Sequence, residues 1–201
     1  MSDILYFFGG SPYLNITNQC PCACAFCIRN GGEGVGTAKN LWHDSDPTWD
    51  AIKKTLESCD FSRYRELAFC GYGEPFCQLE NLKKAAVWLK EHAPRLELRV
   101  NTNGLGDLIH GRAVAAELRG LIHTVSISLN APNAVRYDAL CRSVYALDAF
   151  PAVLQFAADC KKIYPRVILS IVDVLSPAET EECRVIADDL GLPLRVRLLA
   201  D

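Results

Sequence analysis

Four cysteines stand within eight residues, Cys20, Cys22, Cys24 and Cys27, in the stretch ITNQCPCACAFCIRN that runs from Ile16 to Asn30. Three of them, Cys20, Cys24 and Cys27, follow the spacing Cys-x-x-x-Cys-x-x-Cys, with Phe26 immediately before the last. Thiolates are soft ligands for iron, and thiolates this close together suit one multinuclear site. A 4Fe-4S cubane held by three protein ligands keeps its fourth iron open, by the same logic that separates catalytic metal sites from closed structural ones. An open iron implies a ligand that reacts. A structural zinc needs a fourth Cys or His at similar spacing; Cys22 is crowded, and no second Cys-x-x-Cys or His pair follows. Cys59, Cys70, Cys77, Cys141, Cys160 and Cys183 stand singly among apolar neighbours and read as small core residues.

Composition bounds the chain that must hold this loop. Its 201 residues, half of them apolar, make one domain, residues 1–201, with a full core. The formal net charge of −3 argues against a protein that grips nucleic acid by its phosphates. No apolar run reaches the length of a membrane span, and the start MSDILYFFGGSPY lacks the charged beginning and apolar middle of a signal peptide. A cytoplasmic protein with reduced cysteines is expected, with no membrane or nucleic-acid partner.

The elements that position the loop follow from pattern. Ile4–Phe8 and Tyr13–Thr17 read as strands joined by Gly9-Gly10. The cluster loop is 18–30, and the glycine-rich 31–45 reads as a lid loop, with Trp42 and His43 ordinary packing residues in it. Asp46 is placed as a helix cap with Pro47 at the first helical position and Trp49, Ile52, Leu56 and Cys59 on the buried stripe. Strands are expected over Glu66–Gly71, Leu96–Thr102, Thr124–Asn130, Val167–Val174 and Leu194–Leu199. Helices are expected over Leu79–His92, through Val114 and Leu118, over Asn133–Ile163 with a division at Pro151, and from a Ser176–Glu179 capping box to Gly191. With the last strand at the chain's end, no further domain is expected.

Strand-helix alternation with short links implies parallel strands and right-handed crossovers, with a doubly wound sheet as the structural alternative. Six such units after an extra N-terminal strand fit an α/β partial (β/α)6 barrel. Parity indicates what the barrel holds. Leu96, Leu98 and Val100 alternate with Glu97, Arg99, Asn101 and Asn103; Val125, Ile127 and Leu129 with Ser126, Ser128 and Asn130; Leu194, Val196 and Leu198 with Arg195 and Arg197. Helices outside demand the apolar parity, so the polar parity faces inward. A purely structural barrel would fill that interior with branched apolar side chains. A polar ligand is the expected occupant.

The cysteine triplet, after a strand and preceded by Asn-x-Thr-Asn at Asn15–Asn18, resembles the cluster loop of the radical S-adenosylmethionine (SAM) superfamily. The segment FCGYGEPF, Phe69–Phe76, resembles that superfamily's Gly-Gly-Glu-Pro segment; Tyr72 replaces its first glycine, while Gly73, Glu74 and Pro75 match. The resemblance implies a radical SAM core with a 4Fe-4S cluster on Cys20, Cys24 and Cys27. It also implies SAM held near Phe26 and by Tyr72, Gly73 and Glu74, the segment that receives the methionine amino group. SISLNAPNAVRYDALCRS is similar to the ribose and carboxylate region, making Ser128, Asn130 and Arg142 SAM contacts, with Asn103 a further one whose turn chemistry explains it equally well. Asn101, Asp173 and Arg197 are the substrate-contact candidates, with an interior Asp173–Arg197 salt bridge as the alternative.

The implied function is reductive SAM cleavage, fed by reduced flavodoxin or ferredoxin, with hydrogen abstraction from a small polar substrate under anaerobic conditions. The start YFFGG-x-x-Y-L-N-x-T-N is similar to the small TatD-family-associated radical SAM group, which implies a lyase acting on queuine in queuosine salvage. Two rivals stand beside it: an enzyme that installs a glycyl radical on a partner protein, and a non-enzymatic iron-sulfur or zinc protein.

Overall fold

The structure, a computed structural model, describes residues 2–199. One sheet carries seven strands in chain order: β1 (Leu5–Phe8), β2 (Ser11–Leu14), β3 (Glu66–Phe69), β4 (Glu97–Thr102), β5 (Thr124–Ser128), β6 (Arg166–Val172) and β7 (Leu194–Arg197). β1 pairs antiparallel with β2 through the Gly9-Gly10 turn, and β2 to β7 are parallel. Among the described residues β1 does not pair with β7. The result is an open six-stranded parallel barrel with one antiparallel edge strand, as the alternation predicts.

Helices cover the outer face: α1 (Trp49–Glu57), α2 (Leu79–His92), α3 (Gly106–His110), α4 (Ala134–Cys141), α5 (Ala149–Ile163) and α6 (Pro177–Leu190). Their buried residues meet the apolar parity of the strands; Leu82, Ala86 and Leu89 of α2 and Val100 and Ile127 of the sheet are fully buried. Each such leucine contributes about 2 kcal/mol of apolar burial. The opposite parity is polar and lines the concave side: Arg99 and Asn101 of β4, Ser126 and Ser128 of β5, Ser170 of β6, and Arg195 and Arg197 of β7. β7 departs from the pattern, since Val196 is 45% exposed: among the described residues no helix follows to cover it. None of the helices described is long and apolar enough to cross a membrane.

Several boundaries differ from expectation. α1 is capped by Thr48, whose hydroxyl accepts from the Ala51 N–H, because the Asp46 carboxylate is engaged with the cluster loop. The segment through Val114 and Leu118 is a short α3 and a separate 3-10 turn, divided where Gly111 takes φ +62° and Asp107 caps the Val114 N–H. The break between α4 and α5 falls at residues 142–148, where Arg142 and Ala146 have positive φ. Pro151 instead sits in the first turn of α5, where its missing N–H costs no helical bond. The capping box is present: Ser176 Oγ accepts from the Glu179 N–H, and the Glu179 carboxylate from the Ser176 N–H.

Candidate functional site

The cluster loop leaves the carboxyl end of β2 and is tied at both ends. Asp46 gathers the first end: one carboxylate oxygen accepts from the Thr17 hydroxyl at 2.7 Å and the Asn18 N–H at 3.3 Å, the other from the Gln19 and Gln78 amides. The second end is stitched to the close of α4. Ala23 and Ala25 N–H groups donate to the Cys141 and Leu140 carbonyls at 3.0 and 2.9 Å, the Val144 N–H donates to the Pro21 carbonyl at 2.9 Å, and Cys22 bridges Ser143. Nothing in the composition of the loop announces these clamps.

The four thiols of the loop divide into two kinds. Cys22 is 4% exposed and lies beside Cys20 and Cys24; Cys141, fully buried at the end of α4, lies beside Cys24. Hydrogen bonds from Cys141 and then Cys22 pull the Cys24 thiol down to about 4, against the cost of burial. The bond from Cys22 likewise lowers Cys20. Cys22 and Cys141 are pushed up in return by the same neighbours and by burial. Cys27 is raised by burial. Asn103 Nδ2 lies 3.8 Å from Cys20 Sγ and 3.9 Å from Cys22 Sγ, within reach of a weak bond to sulfur. Phe26 is partly buried against the main core beside Cys24 and Cys20.

This donor set fits a three-ligand iron-sulfur cluster. The Cys20 and Cys24 thiols are both lowered, and all three of Cys20, Cys24 and Cys27 are half-buried rather than sealed in the core. Among the described residues no three His, Cys, Asp or Glu side chains converge as a single metal ion requires. The three ligands of a cubane belong to three different irons and need no such convergence. Unpartnered polar atoms fit a further ligand: among the described residues Asn101 Oδ1, Asn130 Oδ1 and Arg197 Nε are buried without a hydrogen-bond partner.

The GYGEP segment meets the cluster loop directly. The Glu74 N–H donates to the Gln19 carbonyl at 2.8 Å, one residue before Cys20. A Cβ on Gly73 would collide with the Thr17 carbonyl and stand 2.8 Å from that of Gln19, and one on Gly71 would collide with the Asn15 side chain, so both glycines serve close approach. Tyr72 turns away: its N–H donates to Asn15 Oδ1 at 3.2 Å, its hydroxyl to the Gly32 carbonyl at 2.8 Å, and Trp42 packs edge-on against its ring. Tyr72 thus fastens the lid loop. His43 does the same from below, its Nε2 within 3.0 Å of Asn15 Nδ2 and 3.1 Å of the Asn15 carbonyl. The Glu74 carboxylate accepts from Thr102 Oγ1 and the Asn103 N–H, both at 2.7 Å, and from the Phe76 N–H at 3.2 Å. Burial nevertheless dominates and raises its carboxyl to about 7.

The remaining predicted residues lie at the carboxyl ends of the strands with unequal engagement. Asn130 takes φ +60° and donates to Cys141 Sγ at 3.7 Å; Ser128 closes β5 half-buried. Arg142 is exposed and ends α4 in the left-handed region. Asn101 bonds the Cys70 thiol, near which Arg99 and Arg197 also lie. Asp173 is exposed and accepts from the Leu199 N–H, joining the ends of β6 and β7 rather than pairing with the Arg197 guanidinium. Sequence reasoning missed Asn15, Asp46 and Cys141. Asn15 was legible within the Asn-x-Thr-Asn start; Asp46 was read as a cap and Cys141 as core, and only contacts distant in the chain reassign them.

An open parallel barrel carrying a three-thiol loop after its first parallel strand defines an iron-sulfur enzyme class. The sequence matches the family described as "Radical SAM superfamily" over residues 14–190, and the chain belongs to that superfamily. Its members use a 4Fe-4S cluster and SAM. No curated protein matches the sequence. Among solved structures, a radical SAM methyltransferase from Sphaerobacter thermophilus is 20% identical with a TM-score of 0.61, covering 96% of this chain and 57% of its own. TYW1 with a lysine-pyruvate adduct bound is 12% identical with a TM-score of 0.63, covering 95% and 65%. Streptococcus suis SuiB bound to S-adenosylmethionine is 12% identical with a TM-score of 0.60, covering 94% and 40%. These likenesses concern the fold, and the chain spans less than two thirds of each of those proteins.

Proposed function

We propose that Cys20, Cys24 and Cys27 ligate the cluster, that the GYGEP segment with Asn103, Ser128, Asn130 and Arg142 surrounds SAM, and that a small polar substrate binds on the concave face. When bound, the reduced cluster would supply the electron that cleaves the SAM sulfonium, and the deoxyadenosyl radical so released would take a hydrogen atom from the substrate. The chain's own part is positional. Glu74 locks the loop after β3 to the turn after β4, and Tyr72, Trp42 and His43 hold the lid loop over the thiols, limiting water. The observation that carries this reading is the direct contact of its two motifs, the Glu74 N–H on the Gln19 carbonyl and Gly73 against Thr17. Reduced flavodoxin or ferredoxin is the proposed donor.

Anaerobic reconstitution with iron and sulfide, followed by dithionite and SAM, is expected to yield deoxyadenosine. A protein that binds zinc instead and releases none would sink the reading. Queuine enters as the first substrate arm, on the resemblance to the TatD-associated group, with stimulated deoxyadenosine release and lyase products as its signature. Release that needs an added partner protein would instead favour glycyl-radical activation.

A further inference from the structure

Three arginines face the concave side, and among the described residues only Arg99 has a carboxylate partner there. Arg99 of β4 is paired: its Nε lies 3.0 Å from Glu66 Oε1, and its Nη2 donates to the Tyr13 hydroxyl at 3.2 Å. Arg195 of β7 reaches Ser126 Oγ at 3.4 Å and has no carboxylate within salt-bridge distance among the described residues. Arg197, two residues further toward the carboxyl end of the sheet, has a buried Nε with no hydrogen-bond partner and likewise no carboxylate partner among the described residues. Burial works against its charge and the neighbouring Arg195 adds to that, while Cys70 and Cys24 act the other way. The nearby acid, Asp173, is spent on the Leu199 N–H, and Glu74 on Thr102 and Asn103.

Arg197 is half-buried, and a buried guanidinium nitrogen left without a partner is costly and is retained where a ligand supplies the missing acceptor. A guanidinium presents a planar fork that matches two oxygens of one anionic group. Arg197 stands where ligands collect in parallel barrels, at the carboxyl strand ends, with Asn101 and Cys70 beside it. We propose that Arg197, supported by Arg195, is an anion receptor, and that the substrate of this site carries a carboxylate or phosphate group. This rests on the concave face being the substrate site of a radical SAM enzyme.

The test uses the reconstituted protein with SAM bound, citrate and inorganic phosphate as probes, chloride at matched ionic strength as reference, and titration calorimetry as readout. At least one of the two anions should bind above the chloride reference, with affinity falling tenfold or more in Arg197→Gln and partly restored in Arg197→Lys. Citrate alone would assign a carboxylate, phosphate alone a phosphate. Arg195→Gln should give a smaller loss, and it serves as the probe if the Arg197 variants do not fold. Equal binding in Arg197→Gln, or no anion binding above chloride, would overturn the receptor. So would a parallel loss of SAM affinity, which would place Arg197 at the cofactor. Anion binding without deoxyadenosine release would remove the radical reading and leave the receptor standing; release without anion binding would do the reverse.

Discussion

Cys22 and Cys24 stand two positions apart and take opposite roles. Cys24 is lowered by its neighbours Cys141 and Cys22 and is the proposed ligand; Cys22 is raised by Cys20 and Cys24. Cys22→Ala is therefore expected to retain iron and the visible absorbance after reconstitution, whereas Cys24→Ala should lose both. Loss of absorbance in Cys22→Ala alone would reverse the assignment. Spacing already separated the triplet from Cys22, but the second thiol on Cys24, Cys141, lies in a helix that no local pattern connects to the loop. Glu74 offers a different test. Its carboxyl is raised from 4.5 to about 7, chiefly by burial, so the folded chain holds that proton more tightly than the unfolded one. Its contribution is full below the unfolded value and is lost as pH rises through about 7. Against Glu74→Gln, which does not titrate, the wild-type chain without cluster should lose roughly 2–3 kcal/mol of relative stability between about pH 5 and pH 8. Urea unfolding of both proteins at the two pH values measures this; a constant gap would show that burial does not govern the group.

At the scale of elements, the site is two loops pressed together after β2 and β3. Gly73 allows that approach, because any Cβ there meets two carbonyls of the cluster loop. Gly73→Ala should destabilise the fold by about 1–3 kcal/mol and lower iron retention, read by denaturant midpoint and iron content; unchanged values in both would mean the loops have slack. Strands β3 to β6 and α2 were legible because apolar parity and helical period are strong signals there, and Leu79–His92 matches its expected bounds, whereas β2 runs Ser11–Leu14 in place of the expected Tyr13–Thr17. Asp46 was misread for a definite reason. An acid before a proline and an apolar stripe has the local form of a cap, yet the carboxylate gains more from four donors of the cluster loop and Gln78 than from one helix N–H. Thr48 then takes over the cap. Pro151 failed similarly, since a proline in a first helical turn and a proline between two helices look alike in sequence.

For the molecule as a whole, strand-helix alternation was enough to give the open barrel, and side-chain parity enough to give a polar interior. What parity cannot give is the balance of charge inside that interior. Arg99, Arg195 and Arg197 look alike along their strands, and only the structure shows Arg99 paired with Glu66 and Arg197 without a carboxylate partner among the described residues. The ties on the cluster loop carry a temporal consequence. Strands join this sheet in chain order, each beside its predecessor, so a chain made from its amino end can lay down β1 to β4 while α4 is still unmade. The carbonyls of Leu140 and Cys141, and the thiol that draws down Cys24, arrive only with α4. Until α4 is made, the cluster loop is therefore held at its first end alone, by Asp46 and the loop after β3.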